Sequence, residues 1–350
     1  MSRLIAYVLV VAGAAAMPAH AQAQVYPERI ASALRHRAEY QRRDRDDNRE
    51  EQTERYTKSV RLGSNGELDV ENIAGDITVT RGGGSDATIE VIKTARGRSA
   101  QDAKDLLSLV QVDIVERPGR ADVRTRYPSG DESRRSNRRN VNVSVAFNIT
   151  APAGTTIAVK SISGNLKVSD IKGEVTAESI SGDIRVTGAG RVSTVKSVSG
   201  NVEIADTQLD GALDASSLSG DVVLRKLTAR RIDAKSISGN VRIEDASCER
   251  VGAQSMSGNV EYSGSLAKNG HYELRSHSGE VRTALSGGSG FEVEATSFSG
   301  DVRSDFDITT RGSTGSERRR LRTTLAGTYG DGSATLELTT FSGRIVIGRK

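Results

Sequence analysis

The chain has 350 residues, 49 basic against 45 acidic side chains, one cysteine and no tryptophan. A lone cysteine rules out an intrachain disulfide, and so mild a positive balance does not single out nucleic acid as a partner. No P-loop, dinucleotide fingerprint or Cys/His zinc set occurs, so no cofactor or metal site is expected.

Residues 1–21 read as a secretory signal peptide. Arg3 supplies the basic start, LIAYVLVVAGAAAM the apolar run, and Ala19-His20-Ala21 a small-x-small cleavage site. The run is short for a membrane span and no later segment is apolar enough for one. No cysteine lies near the cut, which removes a lipid anchor. Cleavage near Ala21 predicts an exported product: periplasmic, at the cell surface or secreted.

Residues 22–56 form a charged arm, helical or disordered, with seven Arg and seven Asp/Glu between Arg35 and Arg55. It serves as a spacer or an interaction arm. Residues 57–155 carry strand patterning without a regular period and are expected to form a β-rich N-terminal cap. LDVENIAGDITVT holds a first Gly-Asp-Ile phrase at Gly75, and SAQDAKDLLSLV reads as a helix with Ser99 as N-cap. Pro118-Gly119 marks a hairpin turn. An Arg-rich loop follows with Arg134, Arg135, Arg138 and Arg139, and VNVSVAFNITAPAG then leads into the repeats.

Residues 156–350 repeat one phrase: Ser or Thr, apolar, Ser, Gly, usually Asn or Asp, then Val, Leu or Ile. Its glycines are Gly164, Gly182, Gly200, Gly220, Gly239, Gly258, Gly279, Gly300 and Gly343. Spacings of 18 to 21 residues, then 43, predict short β units that must stack into a solenoid to bury their apolar faces. Counting from the first Ser or Thr of each phrase, three positions are consistently apolar. Two before it stand Val159, Ala177, Val195 and their equivalents. Five after it stand Leu166, Ile184, Val202 and theirs. One after it stand Ile162, Ile180, Val198, Leu218, Ile237, Met256, His277, Phe298 and Phe341. All three columns are expected to face inward, with the serine at a corner between them and the Gly-Asn/Asp pair two residues later as a second candidate bend. Ser and Asn/Asp are expected to form hydrogen-bond ladders from coil to coil.

At position +6 the column faces out, and its Arg242, Glu261, Arg282 alternation suits strands about 4.8 Å apart. The inner column at +7 weakens late, through Tyr262 and Thr283 to Ser304. Two alternating runs flank Gly330-Asp331-Gly332 and read as a capping hairpin inserted at about 305–339. The fold predicted is all-β, a right-handed parallel β-helix with a β-rich N-terminal cap and a C-terminal capping hairpin.

The phrases LDVENIAGDITV, AFNITAPAGTTIAVKSISGNL, the SxSG[ND]V ladder and GTYGDGSATLELTTFSGRIVIG together resemble the bacterial putative-adhesin family of domains of unknown function. The resemblance runs from about Leu68 to Ile347. It implies a single-stranded right-handed β-solenoid outside the cytoplasm and supplies no catalytic residues.

Chemistry is sparse. His277 reads as a hydrogen-bonded core residue, with a general base aided by Ser276, Ser278 or Glu280 as the alternative. Nine near-identical serine phrases indicate a structural rule, because an active site is built once. The Asn/Asp series reads as a turn ladder and not a calcium repeat; Asp301, Asp305 and Asp307 are a somewhat better candidate for weak cation binding, though read first as a solvated loop. Cys248 reads as a buried spacer or, alternatively, an exposed thiol. With no Trp and two Phe placed inward, sugar stacking is disfavoured. Anionic partners would be met by Arg134, Arg135, Arg138, Arg139 and by Arg318, Arg319, Arg320, Arg322. The chain thus reads as a non-enzymatic, exported adhesin-like or envelope interaction scaffold. The alternative is a carbohydrate-active β-helix enzyme or glycan-binding protein. The partner expected is an envelope or cell-surface protein, glycan or anionic lipid, with no nucleic acid and no transmembrane span.

Overall fold

The computed structural model describes residues 49–128, 141–310 and 323–350. The fold is carried by the unit Glu51–Lys350. In chain order its elements are β1 (Glu50–Arg61), β2 (Glu67–Ala74), β3 (Ile77–Gly82), β4 (Asp86–Gly97), helix α1 (Ala100–Leu109), β5 (Gln111–Arg117), β6 (Arg120–Arg126) and β7 (Val143–Pro152). The repeats follow as β8 (Thr156–Ser163), β9 (Leu166–Ser169), β10 (Glu174–Ser181), β11 (Ile184–Thr187), β12 (Arg191–Ser199), β13 (Val202–Gln208) and β14 (Ala212–Ser217). Next come β15 (Val222–Ser236), β16 (Val241–Ser255), β17 (Val260–Ser265), β18 (His271–Ser278), β19 (Val281–Ser286), β20 (Phe291–Ser299) and β21 (Val302–Ser304). The last are β22 (Thr309–Thr310), β23 (Thr323–Tyr329), β24 (Ala334–Ser342) and β25 (Ile345–Arg349).

Each coil supplies one strand segment before the Ser-Gly phrase and one after it, and each pairs in parallel with the same segment of the next coil. Before the phrase, Val70, Val159, Ala177, Val195, Ala215, Ala234, Ala253, Leu274 and Leu338 stand in one register. Beyond the phrase, Ile77, Leu166, Ile184, Val202, Val222, Val241, Val260, Val281 and Ile345 form a second column. Every one of these side chains is at most 1% exposed. Each large aliphatic so placed stabilises by about 1.5–3 kcal/mol, which makes the two columns the core of the unit.

The glycine of the phrase is dictated by close approach. A Cβ on Gly220, Gly239 or Gly258 would lie 2.2 Å from the carbonyl oxygen of the glycine one coil back. That contact brings the serine ladder into reach: the hydroxyls of Ser217, Ser236, Ser255 and Ser276 donate to the carbonyls of Gly200, Gly220, Gly239 and Gly258 at 2.7–2.8 Å. Beside it the amides of Asp183, Asn201, Asp221, Asn240 and Asn259 each donate to the side-chain oxygen one coil back, at 2.8–3.0 Å. Both expected ladders exist.

The stack does not follow chain order at its ends. The final coil, β24 with β25, lies between β18–β19 and β20–β21. The runs flanking Gly330-Asp331-Gly332 therefore do not form the expected hairpin. Strands β23 and β24 flank β20 from opposite sides, antiparallel and parallel respectively. Left-handed Gly330 and Gly332 turn the chain across the end of β20, and the Asp331 carboxylate accepts from the amides of Gly290 and Ser333 to anchor that crossing.

At the other end β2–β3 lies between β6–β7 and β8–β9, with β5 and β4 antiparallel to β6 and β7. Helix α1 begins where predicted, with the Ser99 hydroxyl accepting from the Asp102 amide at 3.1 Å. Residues 50–56, expected in the helical or disordered arm, belong to strand β1, whose alternation half-buries Tyr56 and Lys58 and buries Val60. The signal peptide and the rest of the arm lie outside the described residues.

Candidate interaction surface

Strand alternation continues inward through the phrase's first serine, so the apolar residue after it must point out. Ser161, Ser179, Ser197, Ser217, Ser236, Ser255 and Ser276 are 4–6% exposed. The corner falls one residue later, across Ser-Gly-Asn/Asp. The column expected inward is therefore outward: the serine takes the inward place itself, satisfied from Ser197 to Ser276 by the neighbouring glycine carbonyl.

The result is a ridge of apolar side chains. Ile73, Ile162, Ile180, Val198, Leu218, Ile237, Met256, Phe341 and Phe298 are 36–52% exposed. Nine of the ten exposed large hydrophobic side chains among the described residues stand in this one column, Val115 being the tenth. Over ten levels at sheet spacing, the ridge runs about 43 Å. His277 occupies the level between Met256 and Phe341. Its ring is exposed and stacks on Phe341, with centroids 5.0 Å apart and planes 8° apart, so it is not a core residue. Phe298 continues the stack at 5.4 Å. Intercalation of the last coil sets Phe341 in the middle of this stack.

Beside the ridge runs a groove of about 830 Å³. Its floor is the serine row; one wall is the ridge from Ile73 to Ile237, and the other is the outward row Glu71, Lys160, Glu178, Lys196, Ser216 and Lys235. Lys160 pairs with Glu178 at 3.5 Å and Lys196 with Asp214 at 3.3 Å. The hydroxyls of Ser161 and Ser179 in the floor are buried without a hydrogen-bond partner.

The opposite side of the phrase is polar and self-paired. Glu203 joins Arg185 and Arg225 at 2.6 and 3.2 Å, Arg225 reaches Glu244 at 3.0 Å, and Arg242 reaches Glu261 at 3.0 Å. Arg282 departs from the expected alternation and bonds Glu280 at 2.7 Å. Asp301 is held by Arg303 at 2.6 Å and Arg344 at 3.2 Å. Desolvation acts upward on its carboxyl, but these two guanidinium groups together keep it below the usual carboxylate range. No group of metal-ligating side chains is present among the described residues.

Cys248 is buried, 4% exposed, in register with Ala229. Burial pushes its thiol up to about 12, with a hydrogen bond to Tyr262 acting the other way. Burial likewise drives the Tyr262 and Tyr272 phenols upward; their rings lie 5.3 Å apart. These groups fill the core and carry no reactive anion. Both Arg clusters, Arg134, Arg135, Arg138, Arg139 and Arg318, Arg319, Arg320, Arg322, lie outside the described residues.

The sequence matches Toastrack DUF4097 over residues 64–225 and 210–311, more than half of its length. The chain belongs to the Toastrack DUF4097 family. Those residues include the ridge side chains from Ile73 to Phe298, while Phe341 of the final coil lies beyond them. Among solved structures, it is similar to a "putative adhesin" from Bacteroides fragilis at 15% identity and TM-score 0.40, covering 85% of this chain and 97% of that one. A "putative adhesin" from Parabacteroides distasonis gives 11% identity and TM-score 0.38, covering 84% and 97%. A "putative cell adhesion protein" from Clostridium sporogenes gives 12% and 0.24, covering 85% and 100%. No curated protein matches the sequence. No helix among the described residues is long and apolar enough to cross a membrane.

Proposed function

We propose that this Toastrack chain is a non-enzymatic, exported interaction scaffold whose contact surface is the outward apolar ridge. One observation carries the reading: nearly every exposed large hydrophobic side chain falls in a single file. Scattered exposed apolar residues are ordinary, whereas a continuous strip marks a place where something binds. The fold supports the strip cheaply, since serine and asparagine ladders hold the corner and leave the side chain after the serine free to vary. The neighbouring charged face supports the same reading. Its described acids and bases pair with one another, across coils at Arg185–Glu203 and Arg242–Glu261 and within a coil at Arg282–Glu280.

The signal-like start implies export, and the parallel crossovers imply a right-handed coil. Sugar stacking gains some ground because Phe298 and Phe341 face outward. Phe341 is nonetheless sandwiched between His277 and Phe298, which takes its two faces from a sugar ring.

The test compares wild type with an Ile180→Asp/Leu218→Asp double variant. Both residues are about half exposed, so each substitution costs only about 1 kcal/mol of stability. The variant should keep a cooperative unfolding transition and lose association, whether with envelope fragments or with other copies, at high as well as low salt. A variant that keeps every association refutes the reading, as does polysaccharide turnover by the wild type.

A further inference from the structure

We infer that the partner seated on the ridge is a second copy of this chain, docked in parallel and in register. The inference rests on the reading of the ridge as a contact surface and names its occupant.

Area argues first. With nine large side chains about half exposed, the ridge offers on the order of 800 Å² per copy, beyond the roughly 300–600 Å² of the largest patch on a typical monomer. Two ridges brought together remove on the order of 1,600 Å², the standard size of a specific interface.

Shape argues next. Over the six levels from Ile73 to Ile237, ridge and groove run side by side with the same repeat, one coil per level. A foreign partner would have to carry that spacing, about 4.8 Å, whereas a second copy carries it by construction. Symmetry then fixes the arrangement. A two-fold axis along the stack, placed between ridge and groove, seats each ridge in the other's groove and sets identical levels opposite each other. A two-fold axis across the stack brings ridge onto ridge and leaves both grooves empty. Only the parallel pair uses both features, with Ile180 facing Ile180 and Met256 facing Met256 across the axis.

The experiment uses the full exported chain. Sedimentation over a range of concentrations should give twice the chain mass, falling to the single mass in Ile180→Asp/Leu218→Asp with the unfolding transition retained; Leu218→Ser serves as the milder variant if the double one unfolds. Ile180→Cys and Met256→Cys, each alone, should form disulfide-linked dimers under mild oxidant. The native thiol of Cys248 is buried and held protonated, so it gives no background. A single mass at every concentration overturns the inference, as does a doubled mass that survives the ridge variants. Failure of either cysteine variant to link to itself does the same, since an antiparallel pair would set Ile180 and Met256 away from their own counterparts. A monomeric wild type whose ridge variants still lose envelope association would remove the second copy and leave the contact surface standing.

Discussion

Gly239→Ala tests the closeness of the coils most directly. The added Cβ would lie 2.2 Å from the Gly220 carbonyl oxygen, 2.5 Å from its carbon and 3.0 Å from the Asp221 nitrogen, all backbone atoms. Ordinary contact begins at 3.4 Å, so the coils must part by about 1 Å at this level. Such a shift carries the 2.9 Å bond from the Val222 amide to the Asn240 carbonyl and the 3.0 Å bond from the Ser238 amide to the Leu218 carbonyl out of hydrogen-bonding range. Overpacking against yielding side chains costs 1–3 kcal/mol. Against two fixed strands the loss should reach about 3 kcal/mol, a fall in midpoint of roughly 6 °C for a unit of this size. Thermal unfolding followed by circular dichroism reads the change, with Gly211→Ala, where nothing lies within 4 Å of the new Cβ, as the control. Equal midpoints for the two variants would refute close packing as the reason for the repeated glycine.

Further outcomes follow from the same geometry. Ser255→Ala removes a 2.7 Å bond to the Gly239 carbonyl and should cost about 1 kcal/mol, while Ser161→Ala removes a buried hydroxyl without a partner and should be neutral or stabilising; denaturant midpoints decide. Cys248, its thiol at about 12, should resist alkylation at neutral pH in the folded protein and react at once in denaturant; rapid native labelling contradicts the burial. Asp301 is held below the ordinary carboxylate range, so its contribution is present above the unfolded value and lost as pH falls through the folded one. Wild type should therefore exceed Asp301→Asn in stability at neutral pH, with the gap closing under acid; a gap that persists or grows there contradicts the pairing.

The core was legible in the sequence because two columns pair strictly with strand alternation. Val159 and its equivalents lie two residues before the serine, and Leu166 and its equivalents lie just past the glycine. The ridge is not legible from hydrophobicity, for a definite reason. Ile162, Ile180 and Val198 are as apolar as the core, and hydrophobicity alone sends them inside. A better signal was present: with Val159 inward, period two sends Ser161 inward and Ile162 outward. Polarity of the serine hid this, because a hydroxyl is satisfied inside only when a carbonyl waits within reach, and the carbonyl belongs to a glycine 16 to 18 residues away.

The order of coils at the C-terminal end was not legible, yet its logic is visible in the side chains. Read along the chain, the inner column at +7 decays from Tyr262 through Thr283 to Ser304 and then recovers at Ile347. Read through space, Ile347 stands between Thr283 and Ser304. The greasy final coil, with Ile345 and Ile347 fully buried, is held inside, and the polar coil ending in Ser304 lies beyond it, where β21 pairs with β25 alone among the described residues. There β23 runs along β20, and Phe291, Phe306 and Tyr329 meet with centroids 4.8–5.4 Å apart. The segment that ends in Ser304 is paired on one side only, so the free energy is lower when the coil with fewer aliphatic side chains takes that place. Chain order yields to this because a connection across the end costs only a slowly growing loop entropy. The same exchange sets Phe341 between His277 and Phe298, so the economy of the core also decides the aromatic end of the ridge.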